Sequence, residues 1–290
     1  MKRCLRCEYA WDGASWQCPA CRHQPPLIED FPAFAPELAW DDDAYEAGFH
    51  QLLTTLEENC FWFAGRNRLL GMVFKRFFPR ARSFLEVGCG TGYVLSALCQ
   101  ELPGLRVVAG ELLLSGLRQT RNRLPRAEAI QMDARNIPYR EEFDVIGSFD
   151  VLEHLDQEGQ AMAQVREALK PGGGYLVTVP QHPWLWSCQD EAAHHRRRYR
   201  RGELRSKLEK AGFRVVWMTS FVSLLLPVMA VSRLLAVSRT EQADMASQLR
   251  RLPAMVDVLF SRICGLERLL IASGVSFPLG GSLLAVGVKH

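Results

Sequence analysis

Residues 86–92 read Glu86-Val-Gly-Cys-Gly-Thr-Gly92 and follow the apolar pair Phe84-Leu85. An apolar run that breaks into alternating glycines reads as a buried strand turning sharply into a helix. Gly88, Gly90 and Gly92 permit positive φ and carry no Cβ, so a ligand can lie directly against the backbone. Residues 93–102 have helical spacing, and free N–H groups of their first turn would face that ligand. The pattern is E-x-G-x-G-x-G, not the G-x-G-x-x-G of a dinucleotide site. Glycine spacing alone also suits a tight turn with no ligand, so the segments downstream of residue 102 decide between the two.

Residues 105–110 form a second short apolar run that ends in Glu111. An acid about 20 residues after a glycine loop, at a strand end, is placed to accept hydrogen bonds from two ribose hydroxyls. A third run, residues 129–132, ends in Asp133-Ala134; a fourth, 143–149, leads into Asp150-Val-Leu-Glu-His154. A fifth, 174–179, comes after the turn-like Leu169-Lys-Pro-Gly-Gly-Gly174. In order and spacing these elements resemble class I S-adenosylmethionine (SAM) methyltransferases, with residues 86–92 as motif I. The resemblance implies an α/β, Rossmann-like seven-stranded sheet with helices on both faces. It implies that the glycine loop wraps the methionine moiety of SAM, that Asp133 meets the adenine amino group, and that S-adenosylhomocysteine is the product. The expected cofactor residues are Glu86, Gly88, Cys89, Gly90, Gly92, Glu111, Leu112, Asp133, Ala134, Phe149 and His154.

A chain of 290 residues with 48% hydrophobic content can bury a full core. The net charge of +3 does not by itself suggest nucleic acid. The chain starts Met-Lys-Arg-Cys with no apolar signal region, so a secreted disulfide framework is not expected and a cytoplasmic location is.

Residues 1–25 read as a separate unit. Cys4-Leu-Arg-Cys7 and Cys18-Pro-Ala-Cys21 are two C-x-x-C pairs separated by ten residues. Four thiolates complete a tetrahedral Zn²⁺ site, and so short a segment would take its folding free energy from the metal. It resembles a zinc ribbon; iron suits the same geometry. A redox dithiol would normally come after a strand inside an α/β domain, which is lacking here. Most of the other five cysteines are expected to pack in the core. Residues 26–42 read as an extended, proline-rich linker and 43–290 as the catalytic domain. Spacing turns helical over 43–78. There Trp62 and Phe63 suit either a core stripe or a cap on the cofactor pocket, with Arg66 or Arg68 on a carboxylate.

After the fifth strand come Pro180-Gln-His-Pro-Trp-Leu-Trp186 and Asp190-Glu-Ala-Ala-His-His-Arg-Arg-Arg-Tyr-Arg-Arg201. Loops at the carboxyl ends of strands line the ligand crevice in an open α/β sheet. His182, Asp190, His195, Arg198 and Tyr199 are the candidate catalytic residues, with either histidine as general base for an oxygen or nitrogen acceptor. Their pattern resembles a subset of methyltransferases with small-molecule or lipid-pathway substrates. Arg196, Arg200 and Arg201 suit a solvated face equally well. A helix at 203–211 and a sixth strand at 212–218 come next. A seventh, 282–288, is expected antiparallel between the fifth and sixth.

Residues 221–281 would then be a helical insertion. Its apolar run 221–237 carries Pro227 and Arg233, which argues against a transmembrane span. A second helix at 254–272 would place Met255, Leu259, Ile263, Leu266 and Leu270 on one face. The insertion is read first as a lid, then as a peripheral membrane patch with Arg233 and Arg239 near head groups, then as a dimer surface. The expected acceptor is a small or lipid-like molecule. The alternative is rRNA or tRNA, held by the four-cysteine unit and the arginine cluster. Near-neutral charge and the lack, in Cys4–Cys21, of the aromatic and basic interleaving expected for stacking on bases weigh against it; the absence of N-P-P-Y after the fourth strand argues against adenine or glutamine amide methylation.

Overall fold

Near-continuous apolar runs such as Phe84–Leu85 and Val107–Ala109 suit parallel strands covered on both faces. The computed structural model describes residues 1–40, 49–58, 60–236 and 253–290. At the N-terminus β1 (Lys2–Arg3) pairs antiparallel with β2 (Ala10–Trp11), and β3 (Leu27–Ile28) with β4 (Phe31–Pro32). Then come α1 (Phe49–Glu57), α2 (Phe61–Phe77), β5 (Ser83–Val87), α3 (Tyr93–Glu101), β6 (Arg106–Glu111), α4 (Leu114–Arg123), β7 (Glu128–Gln131), β8 (Phe143–Phe149), α5 (Glu158–Ala168) and β9 (Leu169–Pro180). The chain closes with α6 (Cys188–Ala192), α7 (Arg201–Lys210), β10 (Phe213–Phe221), α8 (Leu226–Ala236), α9 (Ala254–Ala272) and β11 (Ser282–Lys289).

Seven strands form one sheet in the order β10-β11-β9-β8-β5-β6-β7. Leu85 pairs in parallel with Val108 on one side and Ile146 on the other. β11 runs antiparallel to both neighbours, with Val177 opposite Ala285 and Met218 opposite Ala285 on the far side. The last strand thus lies antiparallel between the fifth and sixth of the main sheet, as expected. One apolar cluster beneath the sheet takes Met162 and Val165 of α5 with Leu204 and Leu208 of α7. The cluster on the other face takes Leu69 and Phe74 of α2, Leu95 of α3, Leu117 of α4 and Ile271 of α9.

Four local readings change. The Leu169–Gly174 segment is not a turn before the fifth strand but its first half. Phe143 pairs with Leu169 and Val145 with Gly174, so the extra residues bulge out, with Gly172 at φ 73°. The helical stretch 43–78 breaks into α1 and α2 at Cys60, which is extended (φ −123°, ψ 123°); residues 43–48 lie outside the described residues. α2 is capped from a distance, its Phe61 N–H donating to Asp257 Oδ1 of α9 at 2.8 Å. On α9 the expected face is largely in solvent: Met255 is 86% exposed. Of that face Ile263 does pack against the core, but beside Phe260, Cys264 and Ile271, and the helix also buries Glu267. That carboxylate accepts the Ser223 and Leu224 N–H groups at 2.6 and 2.9 Å. An apolar count cannot anticipate an acid turned inward to satisfy a loop. Fourth, residues 26–40 are laid down as structure rather than as free linker. Ala33 bridges Gln131 at the β7 edge, and the Gln131 side chain exchanges two hydrogen bonds with Ala35.

Among the described residues no helix is long and apolar enough to cross a membrane. Residue 237, the end of the apolar run, and Arg239 lie outside the described residues.

Candidate active site

The glycine loop leaves β5 with Gly88, Gly90 and Gly92 at φ 72°, 52° and 72°. A Cβ on Gly88 would meet Val151 at 2.5 Å and one on Gly92 would meet Thr120 at 2.9 Å, so both are closed by packing. A Cβ on Gly90 would meet nothing within 4 Å, so this glycine faces open space. Its N–H donates to Glu111 Oε2 at 2.8 Å, and Glu111 Oε1 accepts the Leu112 and Leu113 N–H groups at 2.7 and 3.1 Å. Glu111 is thus held by three backbone donors at the tip of β6, and Oε2, which takes only one of them, keeps a lone pair for a further donor. Glu86 is buried beneath the loop, its Oε2 without a partner. Burial pushes its carboxyl well above the usual carboxylate range, despite the attraction of Arg66. The Cys89 thiol is buried against Thr120 and pushed up by that burial, which suits packing.

A brace behind the loop is absent from the sequence reading. Glu57 of α1 accepts the Thr91 hydroxyl on both oxygens, at 2.6 and 2.7 Å, and Arg123 of α4 at 2.8 Å. Only the buried chain position of Glu57 in an otherwise amphipathic helix could have hinted at it.

Asp133 lies beyond the end of β7, but both its oxygens accept Arg135, the guanidinium at 2.5–3.0 Å and the N–H at 2.8 Å. Any ligand there shares the carboxylate with that arginine. Ala134 is half-buried beside it. Phe149 belongs to the apolar cluster, its ring folded over Gly147. Beyond β8, Asp150 adopts φ 58°, a strained conformation for a residue other than glycine. It accepts Arg66 at 2.6 Å, and the same guanidinium lies 4.6 Å from the Trp62 ring centroid. So Arg66 meets a carboxylate of this chain. His154 sits at the end of this segment; burial, then the neighbouring His195, lowers it to about 3, so it is neutral.

The loop after β9 is organised by Asp190, which is 1% exposed. Its Oδ1 accepts His195 Nδ1 at 2.9 Å and Arg198 Nε at 2.7 Å; its Oδ2 accepts the Ser187 N–H and Arg233 of α8, each at 2.9 Å. Burial alone would raise its pKa, but these donors more than offset that and hold the carboxyl well below the usual range. The structure therefore brings Asp190, His195 and Arg198 together. Arg198, also donating to the Gln181 carbonyl, holds the loop from inside. Tyr199 departs from the grouping. It is fully buried, and its hydroxyl donates to Glu158. His182 has φ 65°, its ring beside Trp184 and its Nε2 buried without a partner. Of the remaining arginines, Arg197 bonds Glu158 and Arg201 the Phe277 and Met218 carbonyls, while Arg196 is exposed, bonded to the His154 carbonyl and to the exposed Asp156, and Arg200 is exposed.

Unpartnered buried polar atoms gather along the carboxyl ends of β5, β8 and β9: Glu86 Oε2, both oxygens of Glu153, Thr178 Oγ1, Gln181 Oε1 and His182 Nε2. Such atoms mark places where a ligand or ion completes the structure.

The four N-terminal sulfurs converge within 4.8 Å of one another. Cys4 to Cys21 and Cys7 to Cys18 are each 3.6 Å. Tetrahedral Zn–S bonds of about 2.3 Å put sulfurs about 3.8 Å apart, so the donor set fits. The two pairs are built alike. Cys4 and Cys18 N–H donate to the Tyr9 and His23 carbonyls, Glu8 and Arg22 N–H return to Cys4 and Cys18, and Glu8 and Arg22 both have φ 62°.

A Rossmann-like sheet with the last strand reversed, and a glycine loop tied to an acid at the next strand end, defines the class I methyltransferase fold. Residues 56–217, more than half of the chain, match the methyltransferase domain family, and the chain belongs to that family. A probable S-adenosylmethionine-dependent methyltransferase of Mycolicibacterium smegmatis is 30% identical over 165 residues, 55% of this chain and 62% of that one. Trans-aconitate 2-methyltransferase of an Azoarcus species is 27% identical over 136 residues, 47% of this chain and 51% of that one. The chain thus spans less than two thirds of these relatives. Phosphoethanolamine N-methyltransferase 2 of Haemonchus contortus, in complex with S-adenosyl-L-methionine, shares the fold at TM-score 0.51 and 18% identity, over 77% of this chain and 52% of that one.

Proposed function

We propose that the protein transfers a methyl group from SAM to a small-molecule acceptor, with a structural zinc ion on Cys4, Cys7, Cys18 and Cys21. The observation that carries the first part is the Gly90–Glu111 pair: a glycine facing open space whose N–H fixes the acid at the next strand end. Residues 88–92 would cradle the methionine moiety, Glu111 the ribose and Asp133 the adenine edge. SAM supplies a methyl group on a positive sulfonium, and transfer requires the nucleophile in line and about 3 Å away.

The acceptor would lie over the carboxyl ends of β8 and β9, facing Asp150, His154, His182 and His195. The helical insertion would cover it. Arg233 of α8 reaches Leu185, Ser187 and Asp190 of the β9 loop, so the insertion is already tied to that edge. Its side chain is 14% exposed, so it points inward rather than toward the head groups of a membrane. The trans-aconitate enzyme, named for a small acid, favours an acceptor of that size. Purified protein with methyl-labelled SAM is expected to label the small-molecule fraction of a cell lysate and leave the RNA fraction unlabelled. Label confined to RNA would overturn the acceptor class.

A further inference from the structure

Glu153 lies in the segment after β8, is 0% exposed, and its carboxylate oxygens find no hydrogen-bond partner on any other described residue. Only its own amide N–H approaches. A buried, unpaired carboxylate is costly unless it is neutralised or bound to a cation. Two imidazoles stand beside it. His195 Nε2 is 4.0 Å from Glu153 Oε1, the His154 and His195 ring centroids are 4.9 Å apart, and one ligand atom from each of the three lies within 4.8 Å of the others.

Both imidazoles also take hydrogen bonds from the surrounding loop. His195 uses Nδ1 on Asp190 Oδ1 at 2.9 Å, and the His154 ring is hydrogen-bonded by the His194 backbone. An outer carboxylate or carbonyl on one ring nitrogen, with the other nitrogen on the ion, is the usual support of a metal-bound histidine. We propose that Glu153, His154 and His195 form a divalent-metal site whose open positions take an oxygen of the methyl acceptor.

Two imidazoles and one carboxylate suit Mn²⁺, Fe²⁺, Co²⁺ or Zn²⁺ better than the all-oxygen cages of Ca²⁺. Ligand bonds of about 2.1 Å bring neighbouring donors to about 3–3.5 Å, so roughly 1 Å of side-chain movement closes the triangle. Three protein ligands leave positions open, as catalytic rather than structural sites do. The location is apt, because Val151, two residues before Glu153, abuts Gly88 of the glycine loop. The role of the ion rests on the methyltransferase reading. The metal would lower the pKa of a bound acceptor hydroxyl. Its proton leaves to water, the oxygen forms the new bond to the methyl carbon, and the carbon–sulfur bond breaks onto sulfur.

The test is Mn²⁺ titration of the full chain, read by the paramagnetic signal of free Mn²⁺, with Zn²⁺ as competitor. The thiolate cluster is a poor Mn²⁺ site, so the two centres separate. One Mn²⁺ per chain is expected, with affinity falling at least tenfold in Glu153→Gln and in His195→Ala, and with SAM binding by equilibrium dialysis preserved. Failure to retain Mn²⁺, with no Zn²⁺ beyond one equivalent for the cysteines, would overturn the site. So would equal Mn²⁺ retention in Glu153→Gln. Mn²⁺ binding by a wild-type protein that ignores SAM would leave the metal site standing and remove the methyltransferase reading.

Discussion

Asp190→Ala is expected to destabilise the protein by about 3–5 kcal/mol, the usual cost of removing one partner from a buried ion pair. The substitution leaves Arg198, whose side chain is 5% exposed, and Arg233 without their carboxylate, and frees His195 from its Nδ1 partner. It also cuts the tie between the insertion and the β9 loop. Asp190→Asn keeps the volume and can still accept two donors, so it should fall between wild type and alanine. Urea denaturation reads the difference. Because His195, Arg198 and Arg233 hold the carboxyl below its ordinary value, this contribution is present above about pH 4 and is lost only as pH falls through the depressed folded value. A loss under about 1 kcal/mol would mean that solvent replaces these bonds and that the loop is not organised around Asp190.

Cys18→Ser is expected to remove the metal from the N-terminal unit and to unfold residues 1–25. Structural zinc contributes about 10–16 kcal/mol in isolated knuckles, so a unit with few buried apolar residues cannot survive its loss. Only Arg3, Cys4, Cys18 and Pro25 are buried within that stretch. The effect should stop at the boundary. The unit is attached to the domain through Arg3, which donates to the Ile137 carbonyl at 2.7 Å and to Glu167 at 2.9 Å, through the Met1 carbonyl on the Arg140 N–H, and through Trp16 packed on Tyr139. Elemental analysis should drop by one zinc per chain, and limited proteolysis should cut within residues 1–25 while the rest resists. A metal-free protein with that segment still protected would show that packing alone holds it.

The parts of the site legible from the sequence are those encoded locally. Gly90 and Glu111 are separated by one helix and one strand, and their pairing is a consequence of βαβ geometry. The two C-x-x-C pairs each carry their own turn. What stayed hidden was assembled from distant positions. Glu57, Thr91 and Arg123 meet across three elements. Asp257 caps a helix nearly two hundred residues earlier, and Arg233 crosses from the insertion to Asp190. The arginine run 196–201 divides for the same reason: Arg196 and Arg200 lie in solvent, while Arg198 is drawn inward by a carboxylate eight residues away. Glu153 stood in plain view within Asp150-Val-Leu-Glu-His154, yet only its burial and its lack of a partner single it out.

Amide hydrogen exchange with and without SAM tests the central claim most directly. The account predicts that SAM slows exchange in peptides carrying residues 88–92, 111–113 and 133–135, and that Gly90→Val, whose side chain would fill the open space at that glycine, removes the effect. Unchanged exchange in all three segments at saturating SAM, or protection confined to other parts of the chain, would contradict it.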